Sequence, residues 1–303
     1  MRGMEIELVY KGLTADSGRV DFYDAAQALQ GFQRSLALTT HLVLNGEVIV
    51  QAPSLRGAEI YLETIEEGSW KVKAAIAAAF WAIGTAPKDT PYGHLIWSAY
   101  DYVISETLGF NVNYDETLGQ SYQKYQAQKN NQIPILKQSR FDSLIEKCEK
   151  AVLDMHRPII ASKSAKRAEI YRCVGDEYPK IRGNFTEATF EYLVDSIQTS
   201  SPEVIEAKIT SYNSNTFKGR CFNKEIGHPV PFDLSPDSRT DEAIDAITES
   251  LTLSARRSSH GTEVGTIMLK VLRNESKKGR LKSFYVIEVN PLHGALMLAR
   301  DLE

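Results

Sequence analysis

The first hundred residues change hydrophobic period in a readable way. Residues 4–11 alternate apolar and polar positions and predict a strand. From Asp21 onward Phe22, Ala25, Leu29, Phe32, Leu36 and Val43 return to one face of a helix, with Asp21 placed to cap it and Asn45-Gly46 suited to the left-handed stop. Residues 47–51, 57–65 and 69–76 read as short strands, with Glu67-Gly68 turning the last pair. The order β, α, β, β, β predicts an antiparallel sheet with one helix packed across a face.

The middle of the chain returns to the helical period. Thr90 as cap and Pro91 as first residue mark a helix that Gly109 can end. Further helices are predicted at 114–129, 139–156 and 186–199, the second carrying Phe141, Leu144, Ile145, Cys148, Val152 and Met155 on one side. A strand at 168–174 is also expected. After Thr199-Ser200-Ser201-Pro202 the alternation of strands resumes at 204–212, 217–222, 229–234, 264–272 and 281–289, with an acidic helix at 241–253. Five short strands joined by tight turns suggest a small barrel. The fold class expected is therefore α+β: a sheet-and-helix domain at 1–75, a mainly helical region at 76–200, and a mostly-β, barrel-like domain at 203–303.

Composition adds little to this picture. Apolar residues are 43% and charged residues 24% of the 303, values of a folding globular chain. Cys148, Cys173 and Cys221 are too widely spaced for a zinc knuckle or a disulfide framework, and the N-terminal residues do not read as a secretory signal, so a cytoplasmic protein is expected. The net charge of -4 is uneven: residues 1–128 hold 9 Lys/Arg against 15 Asp/Glu, residues 129–182 hold 12 against 7, and 203–303 balance at 14 each. No domain is basic enough to announce a nucleic-acid binder by charge alone.

The motifs of common chemistries are missing. There is no GxSxG elbow, no GxxxxGK[ST] or GxGxxG loop, and no HxxxH or HxH pair among His41, His94, His156, His228, His260 and His293. No catalytic residue, metal or cofactor is assigned, and a non-enzymatic protein is favoured. Cys148 and Cys221 fall on apolar faces and read as packing residues. Glu206-Ala207-Lys208, with Glu191 or Asp195 as a distant acid, is the best fragment for a metal-dependent nuclease, although a Glu-x-Lys on a solvated strand is commonplace.

One pattern points to a ligand. Strand alternation puts Lys218, Arg220 and Phe222 on one face, and Arg280, Lys282 and Phe284 on one face of the last strand. Were these strands neighbours, cations and aromatics would interleave as single-stranded nucleic acid or a nucleotide requires, with Lys270, Arg273, Lys277 and Lys278 extending the positive area. Solubilising strand cations are the bland alternative. Residues 74–86 carry no charge, and with Trp81 and Trp97 they suit a homo-oligomer contact built around Ala78 and Ala79. A membrane-acting hairpin at 74–110 is a further alternative, but each apolar run is short for a span, so a membrane partner is not expected. The basic stretch with Lys163, Lys166, Arg167 and Arg172 suits contact with an acidic partner or, more simply, a solvated face.

Leu8 to Gly12, Asp21-Phe22-Tyr23-Asp24, Glu67-Gly68-Ser69-Trp70, Thr85-Ala86-Pro87-Lys88-Asp89-Thr90-Pro91 and Ser139-Arg140-Phe141-Asp142 together resemble an uncharacterised family of bacterial proteins of unknown function. The resemblance spans most of the chain. It implies a bacterial or phage-related cytoplasmic protein of the mobile and antiviral gene pool, and transfers no catalytic residue.

Overall fold

Asp21 turns the chain into its longest helix by accepting a hydrogen bond from the Asp24 amide at 3.1 Å, and Gly46 stops that helix in the left-handed conformation at φ 69°. This helix, α1 (Phe22–Asn45), belongs to the first of two units, Met1–Val194 and Asp195–Glu303, into which the computed structural model divides. The structure describes residues 4–63, 70–78, 91–110, 112, 114, 118, 136, 138–173, 177–255, 265–275, 279 and 281–291. The Glu67-Gly68 turn and most of the helix expected at 114–129 lie outside these residues.

In the first unit β1 (Met4–Lys11), β2 (Ala58–Leu62), β3 (Lys71–Ala78) and β4 (Arg167–Cys173) form one antiparallel sheet in the order β2-β3-β1-β4. Alternation sends Ile6, Leu8 and Tyr10 of β1 into the core, beside Val72 and Ile76 of β3 and Ile170 of β4. Over that face lie α1, α2 (Pro91–Thr107) and α3 (Gln138–Met155), followed by the short α4 (Arg157–Ile160) and by α5 (Glu187–Val194). The Tyr10 hydroxyl donates to the Met155 carbonyl at 2.6 Å, tying sheet to helix, and the Ser35 and Tyr100 hydroxyls meet at 2.9 Å between α1 and α2. One buried cluster runs from Met4 to Leu193. The helices expected as a separate middle region therefore complete the core of the N-terminal sheet, which cannot bury its apolar face on α1 alone.

Residues 47–51 are irregular where a strand was expected. The Arg56 amide donates to His41 Nδ1 at 3.1 Å and the Asn45 side-chain amide donates to the Arg56 carbonyl at 3.0 Å. These bonds tie Arg56 back to the last turns of α1, and the next strand begins only at Ala58. The helix expected at 186–199 ends at Val194, and Ile197–Gln198 form a two-residue strand, β5.

The second unit continues with β6 (Glu203–Asn213), β7 (Lys218–Phe222), β8 (Pro229–Leu234), α6 (Asp241–Ala255), β9 (Thr266–Glu275) and β10 (Leu281–Pro291). Pairing runs β6-β7-β8-β10-β9 and returns from β9 to β6, which closes a five-stranded barrel; β8 and β10 are parallel and the other pairs antiparallel. Ala207, Ile209, Cys221, Val230, Phe232, Leu234, Ile267, Leu269, Val271, Phe284 and Val286 fill it. The helix between the third and fourth barrel strands packs Ile247 into this core, and the Ser250 hydroxyl accepts from the Ile209 amide at 3.0 Å while donating to the Gly265 carbonyl at 2.6 Å. This connectivity, with a parallel closure of third and fifth strands, is that of the OB-fold.

Candidate nucleic-acid interface

The inward residues of β7 and β8 fix what faces outward. Gly219 and Cys221 of β7, and Val230, Phe232 and Leu234 of β8, point into the barrel, so Lys218, Arg220 and Phe222 occupy the opposite face with Pro229, Pro231 and Asp233. Cross-strand pairing sets Lys218 opposite Asp233, Arg220 opposite Pro231 and Phe222 opposite Pro229. On the other side of β7, Lys208 of β6 lies opposite Phe222 and Ser211 opposite Arg220. Lys218 is exposed and Phe222 half-buried, whereas Arg220 is 5% exposed and engaged within the fold. Arg220 therefore supports the surface more than it presents a free charge.

The last strand does not supply the matching triad. β8 stands between β7 and β10, so the two cationic faces do not adjoin directly. Phe284 is fully buried in the barrel core, and the register shift between Leu281 and Ser283 makes Lys282 an extra residue whose amine donates to the Asp195 carbonyl at 3.3 Å. Uninterrupted alternation would have put the two side chains together; the bulge removes that inference. Arg280, Lys277 and Lys278 lie outside the described residues. Lys270 pairs with Glu288 at 3.5 Å, and Arg273 with Glu275 at 3.2 Å and Glu203 at 3.6 Å, so the expected extension of positive area is offset by acids.

Other side chains complete the face. Tyr285 takes the outward position beside Asp233 in the parallel β8–β10 pairing. At the end of β8 the Arg239 guanidinium lies 4.5 Å from the Phe217 ring centroid and donates from Nε and Nη2 to the Leu234 carbonyl at 3.2 and 3.1 Å. Phe217 holds a left-handed backbone, φ 56°, in the turn leading to Lys218, and its carbonyl accepts from the Leu234 amide at 3.1 Å. Stacked, hydrogen-bonded and 3.9 Å from Asp233 Oδ1, Arg239 is an oriented, partly offset cation at the end of this face. Tyr212 stacks on Phe232 at 6.4 Å and 9°, and its buried hydroxyl has no hydrogen-bond partner among the described residues. Burial raises the pKa of that phenol, against the nearby Arg239 charge. Nothing in the local sequence singles out Arg239, because it reaches Phe217 only through the β7–β8 pairing.

The competing chemistries find less. Glu206 is exposed and Lys208 half-buried, both outward on β6, and no group of three His, Cys, Asp or Glu able to hold a metal occurs among the described residues. Glu191 lies on α5 in the first unit. Cys148 and Cys221 are buried, and burial pushes both thiols up to about 12. His156 is buried, with Nδ1 2.7 Å from the Val152 carbonyl and Nε2 2.9 Å from the Thr189 hydroxyl; burial holds its pKa down at about 4. Arg172 is buried beneath the sheet, 3.0 Å from His94 Nδ1, and is not part of a solvated basic face. Trp97 is half-buried against the core of the first unit, while Trp81 and Ala79 lie outside the described residues. No described helix is long and apolar enough to cross a membrane.

The family model described as "Domain of unknown function (DUF7946)" matches residues 6–193, and the one described as "Family of unknown function (DUF7947)" matches residues 201–290. No curated protein and no solved structure matches the chain.

Proposed function

We propose that this chain, which belongs to the family described as a domain of unknown function (DUF7946), is a non-catalytic binding or assembly protein that takes single-stranded nucleic acid on the outer face of its C-terminal barrel. The observation that carries the reading is the position of Lys208, Lys218 and Phe222 on that face, with Arg239 stacked at its end. OB-fold barrels bind oligonucleotides and oligosaccharides across the second and third strands, here β7 and β8. Fold likeness alone says nothing of the ligand. The side chains favour a nucleic acid: Lys208 beside Phe222 and Lys218 at the far end of β7 meet phosphates, and the Phe222 ring stacks on a base, which is open only in an unpaired strand.

Replacing Phe222 by Leu removes the stacking surface while keeping an apolar side chain. The affinity for a single-stranded oligonucleotide, followed by fluorescence anisotropy, falls by an amount equivalent to about 1–3 kcal/mol, the range for one base on one ring. Unchanged affinity contradicts the reading. Self-association, a cytoplasmic location and a bacterial antiviral or mobile-element setting belong to the same proposal; they rest on the Ala-rich run with its tryptophans and on the family resemblance. Native mass spectrometry of the full chain tests the first of these and reports any retained oligonucleotide.

A further inference from the structure

Ser164 joins two loops of the first unit that are far apart in sequence. Its carbonyl accepts from the Ala15 amide at 2.9 Å and the Thr14 hydroxyl at 3.2 Å, and its hydroxyl accepts from the Asp21 amide at 3.1 Å. Gly12 is so close to Lys166 that an added Cβ would lie 2.8 Å from the lysine Cβ. Residues 12–23 and 161–167 thus make one surface, and large apolar side chains stand out of it: Phe22 is 88%, Tyr23 62% and Leu13 51% exposed. Leu13 and Lys163 both hold left-handed backbones, at φ 57° and 51°. That conformation is unfavourable for residues carrying a Cβ and is kept where the surroundings impose it.

Arg19, Lys163 and Lys166 are exposed on the same two loops, and beside them Arg167 begins β4 with its guanidinium 3.6 Å from Glu169. The nearby acids are directed at the protein. Asp16 accepts from the Gly12 amide at 2.7 Å, Asp21 caps α1, and buried Asp24 is held by Arg157, whose guanidinium also lies 5.1 Å from the Tyr23 ring. Arg19, Lys163 and Lys166 thus flank the apolar tip, while the exposed carboxylates of Asp16 and Asp21 are each turned to a backbone amide.

We propose that this end of the first unit docks on an anionic lipid surface. Phe22 and Leu13 enter the boundary between headgroups and acyl chains, Tyr23 sits at the headgroup level, and Arg19, Lys163 and Lys166 meet lipid phosphates. A phenyl ring at 88% exposure is not seated in a groove of its own surface; it stands out as an inserting side chain does. A nucleic acid would use the aromatic rings and the charge but not Leu13. Docking of this kind needs no spanning helix and is independent of the barrel's ligand.

The test is flotation of the full chain with vesicles of phosphatidylcholine alone and of phosphatidylcholine mixed with phosphatidylglycerol. The protein floats with the mixed vesicles only, and less as salt is raised. Phe22→Asp and Leu13→Asp each cut the floated fraction about tenfold, Lys163→Glu with Lys166→Glu abolishes it, and all keep the parent's melting temperature, since these side chains are exposed. The proposal is overturned if the parent floats with neither vesicle or if Phe22→Asp floats as well as the parent. It is equally overturned if Phe22→Asp converts a parent oligomer to monomer without changing flotation, which assigns the surface to a second copy. A loss of oligonucleotide affinity in the lysine variant with flotation unchanged assigns it to nucleic acid and overturns it too.

Discussion

Gly219 of β7 lies against the ring of Phe232 on β8: a Cβ at 219 would stand 2.8 Å from the ring and 2.2 Å from the Ser211 carbonyl oxygen. The register shift between Ile209 and Ser211 brings that carbonyl inward, and the ring fills the space a side chain would need. Gly219→Ala destabilises the barrel by about 1–3 kcal/mol, the usual cost of overpacking. Urea unfolding followed by circular dichroism checks this. A variant as stable as the parent means that the two strands can separate at no cost.

Asp24 and Arg157 hold the loops of the first unit together. Asp24 is 3% exposed and accepts from Arg157 Nε and Nη2 at 2.9 Å and from the Ser162 amide at 2.9 Å. Arg157→Ala leaves a buried carboxylate without its cation and costs on the order of 1.5–3 kcal/mol, less than for a fully buried pair because the arginine is partly solvated. The double variant Asp24→Asn/Arg157→Ala recovers part of that loss. Thermal melting of the three proteins reads the difference.

His156 and Glu169 are among the described groups through which acid acts on the first unit. His156 is held neutral by burial, its folded pKa of about 4 lying below the ordinary 6.5, so the unfolded chain binds the additional proton and stability falls as pH drops from about 6.5 towards 4. Burial raises the Glu169 carboxyl, but hydrogen bonds from Lys11 and Tyr171 and the charge of Lys180 more than reverse this and hold it at about 2. Its contribution is complete above 4.5 and is lost as pH falls through that window towards 2. The His156 ring proton shift in NMR should stay at its neutral value at pH 5.5; titration near 6.5 contradicts the burial argument.

Lys208 and Lys218 act as phosphate contacts in the proposed complex. Each Lys→Ala change lowers affinity for every single-stranded sequence alike and reduces the slope of log affinity against log salt by about 0.7. Binding titrations at several salt concentrations give that slope directly.

Elements set by local periodicity were legible in the sequence. The cap at Asp21, the stop at Gly46 and the strand at Pro229–Leu234 follow from residues next to one another. The candidate face was legible only on β7, where alternation is unbroken from Lys218 to Phe222. It failed on β10, because a bulge at Lys282 shifts the parity and Phe284 goes to the core. Nor could spacing reveal the parallel β8–β10 closure, the stacking of Arg239 on Phe217, or the meeting of residues 12–23 with 161–167. Those relationships arise from contacts distant in sequence, which periodicity does not encode.

The most direct test of the nucleic-acid reading compares single-stranded and duplex oligonucleotides of one sequence by anisotropy, using the parent and the variant Lys208→Ala/Lys218→Ala/Arg239→Ala. The account predicts that the parent binds the single strand more tightly than the duplex, and that the variant loses this binding while its circular dichroism spectrum remains that of the folded parent. A parent that binds neither strand, or a variant that binds as the parent does, contradicts it.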